Sequence, residues 1–86
     1  MISFVYLRND NSRTLQNEHV EQGYHVHEAF TTSEAVWICT QNHLGMIVIA
    51  DNIESSEVSQ LKDHHAIFCL KAHTTMNELI CHLAAA

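Results

Sequence analysis

The feature of this sequence that most constrains its fold is an uninterrupted apolar run, Met46–Ala50, which ends at Asp51. A strand that is apolar on both faces is typical of a parallel sheet covered by helices on both sides. The run is strand-sized and falls far short of the roughly 18 residues that a membrane span requires. We therefore expect a buried central strand with Asp51 at the rim of the sheet.

Three further strand-like segments and four helix-like segments alternate with this run. The predicted strands are Ile2–Leu7, Tyr24–Phe30, Met46–Ala50 and Ala66–Leu70. The predicted helices cover Arg13–Gln22, Thr32–Asn42, Glu54–Lys62 and Met76–Leu83, with Ala84–Ala86 trailing off the last. The order βαβαβαβα predicts an α/β fold with a four-stranded parallel sheet. Residues 1–86 are expected to form one domain, either whole or cut from a larger signalling protein.

Helix ends are marked by recognisable residues. Thr31 with Glu34, and Thr75 with Glu78, have the spacing of capping boxes, in which a threonine hydroxyl accepts a hydrogen bond from an amide of the first turn. Gly23 lies where a left-handed residue would end the first predicted helix. These signals support the predicted boundaries.

Charge restricts the partners of this chain. Its 86 residues include 4 Lys and Arg against 10 Asp and Glu, for a net charge of −6. Nucleic acids and anionic membrane surfaces are excluded as partners, because both require clustered cations. The amino terminus lacks the basic region of a secretory signal, so we expect a cytoplasmic protein. Each of Cys39, Cys69 and Cys81 lies in an apolar segment, which predicts three reduced thiols in the core.

Polar residues that follow the strands mark the place where ligands bind in open parallel sheets. Arg8, Asn9 and Asp10 follow the first strand, Asp51 the third and Lys71 the fourth. Two carboxylates and an amine at one edge could hold Mg²⁺, through Asp10 and Asp51, together with a phosphoryl group. Polar residues also follow strands simply because the chain turns in solvent there, and both interpretations stay open.

Three segments of the sequence resemble the response-regulator receiver domain. Gly23–Ala35 is similar to its "G-Y-x-V-x-x-A-x-x-x-x-E-A" stretch, Met46–Asp51 to its strand ending in the phospho-acceptor, and Leu70–Ile80 to its "L-x-K-P-x-x-x-x-E-L" segment. The resemblance implies a receiver or flavodoxin-like fold with one βα unit missing. It also implies roles for Asp51 as the phospho-acceptor candidate, Asp10 in the acidic metal site and Lys71 as the phosphoryl-binding lysine.

The sequence departs from the receiver pattern at the site that the pattern should build. Arg8-Asn9 stands where the acidic pair belongs, and no hydroxyl residue ends the fourth strand. We therefore predict a non-catalytic receiver-like signalling module that binds a protein and is impaired in phosphorylation of Asp51. The implied partner is a histidine kinase or a phosphotransfer domain. We expect no cofactor, with Mg²⁺ needed only if phosphorylation occurs; a functional receiver that uses Asp51 is the alternative.

Two other function classes are weaker alternatives. His25 and His27 lie two residues apart on a predicted strand and so share a face, while His64 and His65 are adjacent, which leaves a histidine-based zinc site open. An enzyme is not expected, because the sequence has no phosphate-binding loop and no G-x-S-x-G motif.

Overall fold

A computed structural model describes residues 2–13, 15, 24–62 and 65–85 of the chain. The strands are β1 (Ile2–Leu7), β2 (Tyr24–Ala29), β3 (Met46–Ile49) and β4 (Ala66–Cys69), and the helices are α1 (Thr32–Asn42), α2 (Ser55–Lys62) and α3 (Met76–Ala85). Apart from Arg13 and Leu15, the helix predicted over Arg13–Gln22 lies outside the described residues, as does the Gly23 cap.

The strands form one parallel sheet in the order β2-β1-β3-β4. The register aligns Leu7 of β1 with both Ala29 of β2 and Ile49 of β3, and Ile49 with Cys69 of β4. The four strands therefore end at one carboxyl edge. The order is that of the first four strands of the flavodoxin-like 2-1-3-4-5 sheet. This confirms the predicted fold class and the interior position of the Met46–Ala50 run.

Helices cover both faces of the sheet. Phe4 and Tyr6 of β1 and Val48 of β3 share one apolar cluster with Leu79 of α3. The alternate residues of the same strands, such as Val5 and Ile47, share the other cluster with Ala35 and Cys39 of α1 and Val58 and Leu61 of α2. Successive strand residues point to opposite faces, so both faces of β1 and β3 are buried. That burial explains why the Met46–Ala50 run has no polar residue.

Both predicted threonine caps are present. The hydroxyl of Thr31 accepts a hydrogen bond from the backbone N–H of Glu34 at 3.0 Å, and that of Thr75 accepts one from Glu78 at 3.1 Å. At the other end of α1, His43 adopts the left-handed conformation with φ of 55°. Its backbone N–H donates a hydrogen bond to the Cys39 carbonyl. His43 therefore ends the helix at a position where glycine is the usual residue.

Several sequence predictions need correction. Three strands end one residue early, because Phe30, Ala50 and Leu70 already belong to the following loops, and Ala84 and Ala85 continue α3. Cys39 is buried, but Cys69 and Cys81 are exposed. Cys69 lies on the edge strand β4, and Cys81 lies two residues from the buried Leu79, on another side of α3, so neither is a core residue. No helix among the described residues has the length and apolarity to cross a membrane.

Candidate functional site

The candidate site lies at the carboxyl edge between β1 and β3, where the chain reverses its direction of travel across the sheet. In open parallel sheets a ligand crevice forms at this switch point. Three loops meet at the edge, formed by residues 8–13 after β1, 50–54 after β3 and 70–75 after β4. All the residues that the sequence singled out at the edge belong to these loops.

A neutral hydrogen-bond network closes the gap between the first two loops. Ser12 Oγ donates to Asn52 Oδ1 at 2.6 Å and accepts from the Asn9 backbone N–H at 3.0 Å. Asn52 Nδ2 donates to Asn9 Oδ1 at 2.9 Å, and that oxygen also accepts from the Asn11 N–H at 2.9 Å. Only 9% of Ser12 is exposed. We refer to Asn9, Ser12 and Asn52 as the amide triangle. Its polar groups form hydrogen bonds with one another across the crevice between the two loops.

Arg8 contacts the end of β2. Its Nη1 lies 2.9 Å from Glu28 Oε2, and its guanidinium carbon lies 5.6 Å from the centre of the Phe30 ring. A further bond of 3.3 Å joins Nη2 to the Ser12 carbonyl. The cation that the sequence places at the crevice is thus held by a carboxylate and an aromatic face at the neighbouring strand.

Arg13 is the edge residue that sequence reasoning missed. Its Nη2 donates to the Thr74 carbonyl at 2.6 Å, and its Nη1 lies 3.4 Å from the carbonyls of Lys71 and Ala72. The Arg13 carbonyl accepts a 2.8 Å bond from the Tyr6 hydroxyl, and burial raises the pKa of Tyr6, which keeps that donor protonated. The sequence has no local signal for a contact between residues about sixty positions apart.

The three receiver-type residues are all exposed at this edge. Asp10, Asp51 and Lys71 form no ion pair with one another within the part of the chain that the structure describes. The described residues also contain no cluster of three His, Cys, Asp or Glu side chains able to hold a metal. The amide triangle uses its oxygens internally, so the carboxylates of Asp10 and Asp51 remain the Mg²⁺ ligands that the sequence predicts at this edge.

A cavity of about 300 Å³ opens next to Asp51, between α2 and the end of β4. Its wall includes Val58 and Cys69, and its rim carries the charged side chains of Asp51 and Lys62. Asp51 belongs to the carboxyl edge, while Lys62 ends α2 near the opposite edge. The strand residues that line the cavity, such as Ile49 and Cys69, lie at the carboxyl ends of β3 and β4, so the cavity opens at the carboxyl edge with an acid and a base in its wall.

Three large apolar side chains are exposed near α1. Trp37 is 63% exposed, Phe30 49% and Val36 37%. Val36 and Trp37 lie on α1, and Phe30 precedes its cap residue Thr31. We refer to Phe30, Val36 and Trp37 as the α1 patch. Single apolar residues at a surface are ordinary, but three within eight positions mark a candidate contact surface.

His25 and His27 point to the same face of β2, as the sequence predicts. Their rings meet edge to face with centroids 4.5 Å apart, and both residues are half-buried. The described residues supply no third ligand to this pair. His64, the other half of the predicted His64-His65 pair, lies outside the described residues. The zinc hypothesis is left with two ligands.

The His27 environment predicts a pH-dependent stability. Burial, with a smaller contribution from His25, lowers the pKa of His27 below its ordinary value. The unfolded chain therefore binds the proton more readily, and the free energy of unfolding should fall as the pH drops below about 6.5. Urea titrations across this range measure the effect. The His27→Gln variant should lose part of the slope, and an unchanged slope would contradict the assignment.

No family model matches this chain, and no curated protein and no solved structure is significantly similar to it. The receiver resemblance therefore stays a prediction.

Proposed function

We propose that this protein is a receiver-like signalling module that binds another protein and does not depend on phosphorylation of Asp51. The observation that carries the proposal is the 63% exposure of Trp37, the one tryptophan of the chain, within the α1 patch. Tryptophan is among the residues that most often dominate binding energy at protein interfaces. The second part of the proposal, that binding does not depend on phosphorylation of Asp51, rests on the geometry of the carboxyl edge.

Phosphoryl transfer to a carboxylate depends on cations that neutralise the developing charge. A Mg²⁺ ion and a lysine fill that role in the family that the sequence resembles. Here the crevice contains the neutral amide triangle, and Arg8 is engaged by Glu28. An interaction module needs none of these cations, so this geometry favours binding over phosphorylation.

The apolar character and the charge around the α1 patch indicate what kind of surface its partner presents. Helix α1 carries a single charged residue, Glu34, and the chain as a whole has a net charge of −6. A complementary partner presents an apolar surface with basic residues around it, since opposite potentials favour encounter and register. A helical histidine kinase or phosphotransfer domain, the class that the receiver resemblance implies, can offer such a surface.

Binding is tested by the fluorescence of Trp37 during titration with a purified phosphotransfer domain whose helical surface is apolar with basic residues at its rim. We expect a saturable blue shift of the emission as the indole leaves water. In calorimetry, Trp37→Ala should weaken binding by about 30-fold or more, the effect of an interface hot spot. Asn77→Ala, an exposed change on α3 across the sheet, is the matched control. Equal affinity of both variants would reject the α1 patch.

The phosphorylation part is tested separately with Mg²⁺ and beryllofluoride, which mimics a phosphoryl group on aspartate. We expect no saturable amide shifts around Asp51, because Arg8 and Asn9 stand where a receiver has its acidic metal-binding pair, and both are engaged by other residues. Saturating shifts centred on Asp51 and Lys71 would establish a working phospho-acceptor and overturn this part of the proposal.

A further inference from the structure

The cavity between α2 and the end of β4 has an apolar floor. Four of the residues that line it are buried and apolar, namely Ile49, Ala50, Val58 and Leu70. A closed apolar cavity of about 150 Å³ holds one benzene molecule. The volume of about 300 Å³ found here therefore has room for an aromatic ring together with a polar end. Preformed pockets with apolar walls and a few polar groups are the usual binding sites of small molecules.

The rim of the cavity is polar and exposed. Helix α2 contributes Ser55, Ser59 and Lys62 to it. These residues lie on the side of α2 that also carries Val58, because residues three, four and seven positions apart share one side of a helix. Asp51, in the loop after β3, completes the rim. A ligand seated on the apolar floor therefore meets one carboxylate and one ammonium group.

The acid and the base of this cavity do not pair with each other. The one ion pair among the described residues joins Arg8 to Glu28, so Asp51 and Lys62 line the same cavity without a salt bridge between them. Lys71 follows β4 closely but does not line the cavity. Opposite charges that are near each other and unjoined are complementary to a ligand that carries both charges. A ligand with a single charge leaves one of the two groups without a partner.

We propose that this cavity binds a small zwitterion with an apolar body, of which a free α-amino acid with an apolar side chain is the simplest kind. The ammonium group of the ligand pairs with Asp51, its carboxylate pairs with Lys62, and its side chain packs on the apolar floor. No residue of the α1 patch lines the cavity. The inference is therefore independent of the proposed function, and either can fail without the other.

Titration with L-phenylalanine and L-leucine, followed by calorimetry and by amide shifts, tests the proposal directly. We expect at least one of them to bind with a Kd of about 1 mM or tighter and to shift the amides of the cavity wall. The N-acetyl derivative lacks the ammonium group and the carboxamide derivative lacks the carboxylate, so each should bind about tenfold more weakly. Saturable binding of neither amino acid, or equal binding of either derivative, would overturn the proposal.

Variants at the rim test which group meets which charge. Lys62→Met should weaken binding of the amino acid about tenfold and leave that of its carboxamide unchanged, because the carboxamide has no carboxylate to lose a partner. Asp51→Asn should weaken binding of the amino acid to a similar degree. Glu54→Gln, the matched change at an exposed carboxylate that does not line the cavity, should have no effect. An unchanged affinity in Lys62→Met, or equal effects of Asp51→Asn and Glu54→Gln, would refute the assignment.

The thiol of Cys69 reports on occupancy of the cavity, since it is exposed and lies in the wall. In a Cys81→Ser background Cys69 is the exposed thiol, because Cys39 is buried. Its reaction with a disulfide reagent should slow severalfold when the bound amino acid is saturating, since the rate of thiol exchange depends on access. An unchanged rate at saturation would place the ligand elsewhere and overturn the proposal.

Discussion

Replacing Leu79 with alanine should cost about 2–5 kcal/mol of unfolding free energy, the range for truncating a fully buried leucine. Leu79 is 0% exposed and is the residue of α3 that belongs to the buried cluster with Phe4 and Tyr6. A domain of this size has about 5–15 kcal/mol in total, so the variant loses much of its stability. Urea denaturation followed by far-UV circular dichroism gives the value.

Leu83→Ala is the matched control for this prediction. Leu83 lies one turn further along α3 and is only half-buried against the same cluster. The same truncation there removes less buried surface and should cost clearly less. A loss below about 1 kcal/mol for Leu79→Ala, well under the usual range, would contradict the packing of α3 described above.

Replacing Arg13 with methionine should cost about 1.5–3 kcal/mol, typical of hydrogen bonds to a charged group. Methionine keeps the aliphatic stem but removes the guanidinium, which bonds to the carbonyls of Thr74, Lys71 and Ala72. The turn between β4 and α3 loses its tie to the loop after β1. Denaturation should show the lower stability, and hydrogen exchange in the turn should become faster.

Lys71→Met provides the comparison, since it removes a positive charge from the same turn at an exposed side chain. It should change the stability by no more than about 0.5 kcal/mol, as surface substitutions usually do. Equal effects of Arg13→Met and Lys71→Met would show that charge alone, and not the three carbonyl contacts, accounts for the result.

Much of the fold followed from local sequence patterns. The apolar run before Asp51 predicts a strand buried on both faces, and β3 is that strand. The alternation along Tyr24–Phe30 predicts a strand on which His25 and His27 share a face, and in β2 these two residues are half-buried while Tyr24 and Val26 on the other face are buried. These predictions succeed because strand periodicity and hydrophobicity act over a few neighbouring residues.

The details of the site were harder to predict from the sequence. Sequence reasoning placed Arg8, Asn9, Asp10, Asp51 and Lys71 at one edge, and the topology agrees with that placement. It did not find the roles of Ser12, Asn52 and Arg13. Asn9 and Asn52 are 43 positions apart, and Arg13 and Thr74 are 61 apart. Common residues at such separations carry no signal in a single sequence, and the cysteine prediction failed for a related reason, since burial depends on which strand forms the edge.

The amino-acid sequence alone determined the alternation of strands and helices, the parallel sheet that it implies and the position of Asp51 at the sheet rim. Hydrophobic periodicity and helix capping are local, so the chain encodes them within short segments. Only the tertiary structure decided that Arg8 pairs with Glu28 and that Asn9, Ser12 and Asn52 form hydrogen bonds across the crevice. It also decided that β4 forms an edge of the sheet and that the side chain of Trp37 is exposed. These features arise from contacts between distant segments, and their formation depends on the packing of the whole sheet.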